Sequence, residues 1–131
     1  MQLHECHRTF FIEELERERN LSIPIIVEGI HDISALRKME FTGCILKIND
    51  GSSIDQFCMR ISDQYKEISL LTDFDRKGKQ LRERIESLLL LNNVQVNTTL
   101  WRALKKFNIK SVEDLPSLID SIERGIREDK I

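Results

Sequence analysis

The segment Thr72-Asp73-Phe74-Asp75-Arg76-Lys77-Gly78 places two aspartates two positions apart, directly after an apolar run. Just past a buried strand, carboxylates so spaced can point to the same side. Their hard oxygens suit Mg²⁺ or Mn²⁺, ions that take one or two protein carboxylates and keep waters for a phosphate substrate. Arg76, Lys77 and Lys79 set positive charge beside the aspartates, where a phosphate would bridge metal and protein. A helix N-terminus there would add backbone donors, and Gly78 permits tight passage of the chain at the helix start. The same residues also fit a loop with a helix-capping aspartate and solvated charges. Glu28, followed by Gly29, closes a second apolar run, Ile25-Ile26-Val27. It either turns into solvent or serves as a general acid/base or a third metal ligand. Three crowded carboxylates raise at least one pKa unless a cation compensates, and a raised glutamate suits proton transfer to a leaving oxygen.

The surrounding pattern predicts how these groups are carried. Phe10, Phe11 and Leu15 recur at helical spacing in an amphipathic helix over 7–20. Residues 22–27 form a β-branched strand with Pro24 near its start. A helix over 32–39, a strand over 44–48 and a helix bearing Ile54, Phe57, Cys58 and Ile61 follow, with Ser52 or Ser53 as its cap. Then come a strand over 68–72, a loop over 73–78, a helix over 79–91 and a strand over 94–96. Leu100, Leu104 and Phe107 mark one further short helix, and Leu115, Leu118, Ile119, Ile122 and Ile126 mark a last one. Near-continuous apolar strands alternating with helices predict a parallel sheet covered on both faces, with right-handed crossovers. Ligands of such sheets sit beyond the carboxyl ends of the strands. Glu28, Asn49, Asp50, Asp73 and Asp75 all follow strand ends and are therefore delivered to one edge.

Taken together, Ile25-Ile26-Val27-Glu28-Gly29 with Asp32, and later Leu71-Thr72-Asp73-Phe74-Asp75-Arg76-Lys77-Gly78, resemble a Toprim domain. That domain is shared by type IA and type II topoisomerases, bacterial-type primases, OLD-family nucleases, RecR-type repair proteins and the 5S ribosomal RNA maturase. The nearest resemblance is to the small stand-alone Toprim proteins of archaea and bacteria. It covers about 22–96 and implies an α/β, Rossmann-like, four-stranded parallel sheet with helices on both faces. Residues 1–131 are expected to form one domain, with an N-terminal helix at 7–20 and a C-terminal helical extension at about 99–128. The resemblance makes Glu28 the acid/base residue and Asp73 and Asp75 the Mg²⁺ ligands, with Glu28 also available to the metal. Gly29, Asp32 and Gly78 take supporting positions. Phe74 stands where the family often has a small residue or proline. Zinc-binding, polymerase and strand-passage regions have no room, so neither priming nor strand passage is expected. Tyr65, the only tyrosine, reads as a packing residue or a solvent contact.

Composition narrows the remaining classes. The chain has 131 residues, net charge −2 and 40% apolar residues, which suits one folded core and excludes a broadly basic nucleic-acid coat. No apolar run approaches the roughly 20 residues of a spanning helix, and the N-terminus lacks a signal-peptide pattern, so a cytoplasmic protein is expected. Cys6, Cys44 and Cys58 form no CxxC pair and read as reduced thiols, the latter two as small buried hydrophobes. His4, Cys6 and His7 lack the second ligand pair of a structural zinc site and read as a frayed helix start. His31 sits at the mouth of the acidic edge as a loop histidine, and Lys47 and Asn49 can reach a substrate there. Arg102, Lys105, Lys106 and Lys110 lie beside Trp101 and Phe107 without an intervening acid. Such a stretch fits either a nucleic-acid backbone contact or a solvated face of a helix burying Leu100 and Leu104, with Trp101 packing rather than stacking on bases.

Two functions follow as expectations. The leading one is Mg²⁺-dependent phosphodiester chemistry on RNA or DNA, of the nuclease or RNA-maturation type. Glu28 would move the proton, and Arg76, Lys77, Lys79, Arg102, Lys105 and Lys106 would contact phosphates. The alternative is a non-catalytic nucleic-acid-binding module in a repair or RNA-processing complex, where a protein partner supplies specificity.

Overall fold

The computed structural model describes residues 3–107 and 109–129, and the side chains of 9–107 and 109–125. Along the chain lie α1 (Leu3–Asn20), β1 (Ile25–Val27), α2 (Ile30–Lys38), β2 (Ile45–Lys47), α3 (Ile54–Gln64), β3 (Glu67–Leu70), α4 (Arg76–Leu91), β4 (Gln95–Asn97), α5 (Thr99–Lys105), a 3-10 turn (Val112–Asp114) and α6 (Leu115–Asp129). The strands form a four-stranded parallel sheet in the order β2-β1-β3-β4. β1 pairs Ile25 with Ile45 and with Ser69, and β3 pairs Ile68 with Val96. The expected α/β class and the covering of both faces are therefore observed.

Strand residues alternate between two cores. Ile25, Val27 and Leu71 face a layer containing Phe11, Leu15, Leu36, Phe74, Leu100, Trp101, Leu104, Val112 and Leu115. That layer is built by α1, α2, α5 and α6. Ile26, Ile68 and Leu70 face Phe57, Cys58, Ile61, Ile85 and Leu89 of α3 and α4. β1 and β3 are central and buried throughout their apolar residues, which explains why their sequences lack polar alternation.

Several boundaries differ from the sequence pattern. α4 begins at Arg76, three residues earlier than expected, because the Asp75 carboxylate caps it by accepting the Gly78 N–H at 2.7 Å. Residues 76–78 are thus the first helical turn, not loop. α2 likewise starts at Ile30, with Asp32 accepting the N–H of its cap, Gly29, at 3.0 Å. Cys44 is exposed rather than buried, since β2 is an edge strand that begins one residue later; its Sγ lies 3.8 Å from the Tyr65 hydroxyl. Cys58 is buried as expected. Glu14 and Glu18 of α1 are buried, and Glu18 accepts from Ser69 of β3 and Asn97 of β4. Burial, foremost, pushes the Glu18 carboxyl up. The side chains of His4, Cys6, His7 and Ile126 lie outside the described residues. Among the described residues no helix is long and apolar enough to cross a membrane.

Candidate acidic site at the carboxyl edge of the sheet

Two adjacent parallel strands, β1 and β3, end side by side, so the residues that follow them must meet. Glu28 follows β1, and its Oε2 accepts the backbone N–H of Asp73 at 2.7 Å. Ile48 donates to the Val27 carbonyl at 2.8 Å and Asn49 to the Glu28 carbonyl at 3.1 Å, which fixes the Glu28 backbone against the end of β2. The Glu28 carboxyl is pushed up to about 7, first by burial and then by the Asp73 and Asp32 carboxylates, against the Asp73 N–H that favours its charged form. Burial also raises Asp32, with Asp73 and Glu113 adding repulsion and the Gly29 N–H opposing it.

The loop after β3 is aimed by its own residues. Phe74 turns into the core, where its ring stacks on Trp101 at 5.4 Å between centroids. With Phe74 inward, the flanking Asp73 is half-buried and Asp75 exposed. The bulk of Phe74 is therefore an anchor for the loop. Gly78 answers a close approach: a Cβ there would lie 2.6 Å from the Asp73 carbonyl carbon, and nearer still to its oxygen. Only glycine lets the first turn of α4 pass over the Asp73 backbone. The Thr72 hydroxyl donates to the Gly78 carbonyl at 3.0 Å, closing the loop on itself. Gly29 has an extended backbone, and a Cβ there would meet only Asn49 Nδ2, at an ordinary contact distance of 4.0 Å, so geometry alone would admit other residues there.

The structure thus brings Glu28, Asp73 and Asp32 together, with Glu113 of the 3-10 turn as a neighbour that sequence spacing did not reveal. Asp75 stands at the same edge as the cap of α4, with one oxygen committed to Gly78. Among the described residues no three His, Cys, Asp or Glu side chains form a ready-made metal cage. The donor chemistry nevertheless fits a hard cation. Mg²⁺ needs one or two protein carboxylates and retains water in its other positions, and a divalent ion would relieve the carboxylate repulsion that adds to burial in raising Glu28.

The basic residues divide. Arg76 and Lys77 are exposed in the first turn of α4, and Lys79 is half-buried beside them. Lys105 Nζ lies 5.5 Å from the Trp101 ring centre, a ring that also meets the Arg82 guanidinium of α4 at 4.5 Å. Lys105 therefore stands next to α4, whereas Lys106 turns to α1, over Phe10 at 5.8 Å. Arg102 is exposed. Trp101 is buried and serves packing, as its sequence context suggested. His31 is exposed in the first turn of α2. Lys47 lines a groove of about 330 Å³ along β2 with Ile45, Asp50, Phe57 and Arg60. Ser53 caps α3 by accepting from Gln56 at 3.1 Å, which accounts for the serine pair there.

No family model matches the chain. It is 45% identical over 113 residues to a UPF0292 protein of Thermoplasma volcanium, covering 85% of this chain and 95% of that one. A UPF0292 protein of Thermococcus kodakarensis is 32% identical, with 82% of each chain covered. Another, from Methanocaldococcus jannaschii, is 30% identical, covering 88% of this chain and 89% of its own. Among solved structures, a protein from Aquifex aeolicus superposes with a TM-score of 0.68 at 24% identity, over 81% of this chain and 95% of that one. The primase fragment of the bacteriophage T7 primase-helicase protein superposes with a TM-score of 0.54 at 17% identity, over 81% of this chain and 43% of that one. These likenesses establish a Toprim-like α/β fold.

Proposed function

Since the chain belongs to the UPF0292 family, whose name carries no activity, we propose from its site that it performs Mg²⁺-dependent phosphodiester cleavage on RNA or DNA. The observation that carries this reading is the junction of Glu28 and Asp73, joined at 2.7 Å across the ends of β1 and β3. Asp73, with Asp75 or Glu28, would hold Mg²⁺ or Mn²⁺, and the ion would supply charge stabilisation at the reacting phosphate. The T7 primase fragment, which shares the fold, supports a nucleic acid as the substrate class.

Glu28 is the group equipped to move a proton. In the metal-free protein its carboxyl is pushed up to about 7, within reach of neutral pH, where an acid/base residue works best. The Asp73 N–H fixes its Oε2, so the carboxyl is oriented before substrate arrives. Asp32 holds the backbone at Gly29 and adds the negative charge that keeps Glu28 proton-hungry. Arg76, Lys77 and Lys79 at the start of α4 would take the flanking phosphates, assisted by Lys105 from α5. Arg102 and Lys106 would extend that contact along the strand backbone.

Incubating wild type and Glu28→Gln with a panel of single-stranded, duplex and hairpin RNA and DNA, in Mg²⁺, Mn²⁺ or EDTA, tests the reading. Cleavage by wild type that EDTA abolishes and Glu28→Gln lowers by roughly 10²–10⁴-fold is the expected result. Binding without cleavage in every metal would convert the protein into a binding module.

A further inference from the structure

The three residues that open the acidic loop are each held by one distant stretch of chain. The Trp101 indole N–H donates to the Thr72 carbonyl at 3.0 Å. The Val112 N–H donates to Asp73 Oδ1 at 2.9 Å. Phe74 donates its N–H to the Lys110 carbonyl at 2.9 Å, and its ring stacks on Trp101. Val112 and Trp101 are themselves buried in the core beneath α1 and α2, so these donors are mounted on a rigid support.

We propose that Trp101, Lys110 and Val112 form a clamp whose main-chain and indole hydrogen bonds orient the Asp73 carboxylate for a divalent cation. The inference rests on the reading of Asp73 as a cation ligand and names the residues that tune it. A carboxylate free to rotate must be ordered when the ion arrives. One with an oxygen already fixed by a backbone donor has met that cost during folding. Outer partners of this kind are typically worth 10–100-fold in metal affinity. Trp101 and Val112 are positioning residues, because they act through the loop and not on the ion.

Val112→Pro removes the donor on a backbone suited to proline, but it also alters a fully buried side chain, so it is read against Val112→Ala. Ser111 has an extended backbone (φ −138°, ψ 159°), as a residue before proline requires, and Val112 opens a 3-10 turn, where proline fits. Val112→Ala truncates the buried side chain but keeps the N–H. By calorimetry with Mn²⁺, the proline variant should bind about 10–100-fold more weakly than wild type, and the alanine variant should bind as wild type does. Equal binding by the proline variant, or an equal loss in the alanine variant, overturns the clamp while leaving Asp73 a ligand. Absence of Mn²⁺ binding by wild type instead overturns the reading of the site, and the clamp with it. Should the proline variant not fold, amide exchange on wild type decides. Coupling is reciprocal, so saturating Mg²⁺ should slow exchange at the Val112 N–H, and an unchanged rate refutes the clamp.

Discussion

The burial of Glu28, among other carboxylates, has a consequence for folding that needs no substrate. Its carboxyl titrates near 4.5 when free and near 7 in the folded chain, chiefly through burial. A rise of that size corresponds to about 3.4 kcal/mol at 1.36 kcal/mol per decade. The side chain is only half-buried, so solvent screening reduces this to about 1–2 kcal/mol. The sign follows from linkage. The folded state holds the proton more tightly than the unfolded one. The stability associated with the protonated form is therefore fully present below about pH 4.5 and lost as pH rises through about 7. Glu28→Gln keeps an oxygen to accept the Asp73 N–H and cannot ionise. In urea titrations without divalent ions, the variant should exceed wild type by about 1–2 kcal/mol at pH 8. The advantage should shrink as pH falls and close near pH 4.5. A variant less stable than wild type at pH 8, or an advantage independent of pH, would refute the electrostatic account of Glu28.

Three further outcomes follow. Gly78→Ala should lower stability by about 1–3 kcal/mol in denaturant titrations through overpacking against the Asp73 backbone; part of this is masked by the roughly 1 kcal/mol that alanine gains over glycine in a helix. Replacing Arg76, Lys77 and Lys79 together by Ala should flatten the dependence of log nucleic-acid affinity on log salt by up to about two to three units, at 0.7–0.9 per lost phosphate contact, measured by fluorescence anisotropy. In a Cys6→Ser background a thiol reagent should modify exposed Cys44 rapidly and buried Cys58 only on unfolding, read by mass spectrometry.

The sheet was legible in the sequence because its central strands are unbroken apolar runs. The acidic edge was legible because parallel strands deliver whatever follows them to one side. Two physical roles read in the DxDxxG spacing, a helix-capping aspartate and tight passage at Gly78, are both observed. Asp75 caps α4, and Gly78 clears the Asp73 carbonyl. Phe74, which stands where Toprim domains often have a small residue or proline, proves to be the loop's anchor on Trp101. The contribution of Val112 was invisible because it is made by a backbone N–H, which leaves no trace in residue type. The entry of Glu113 into the acidic group depends on how the C-terminal stretch packs over α2, a contact of long sequence separation. Glu14 and Glu18 fall on the same helical stripe as Phe11 and Leu15, at i, i+3, i+4, i+7, so spacing marks them as buried where their charge argues for exposure, and Cys44 escapes burial because an edge strand starts one residue late.

The central claim is that Asp73 and Glu28 form one cation-responsive site, and calorimetry with Mn²⁺ on wild type and Asp73→Asn, in buffers of differing ionisation enthalpy, tests it most directly. Metal binding displaces protons from raised carboxyls. Wild type should therefore bind the ion with release of a large part of a proton at pH 6 and little at pH 8.5, and Asp73→Asn should lose the binding. Equal binding by both proteins, or binding without proton release at pH 6, would contradict it.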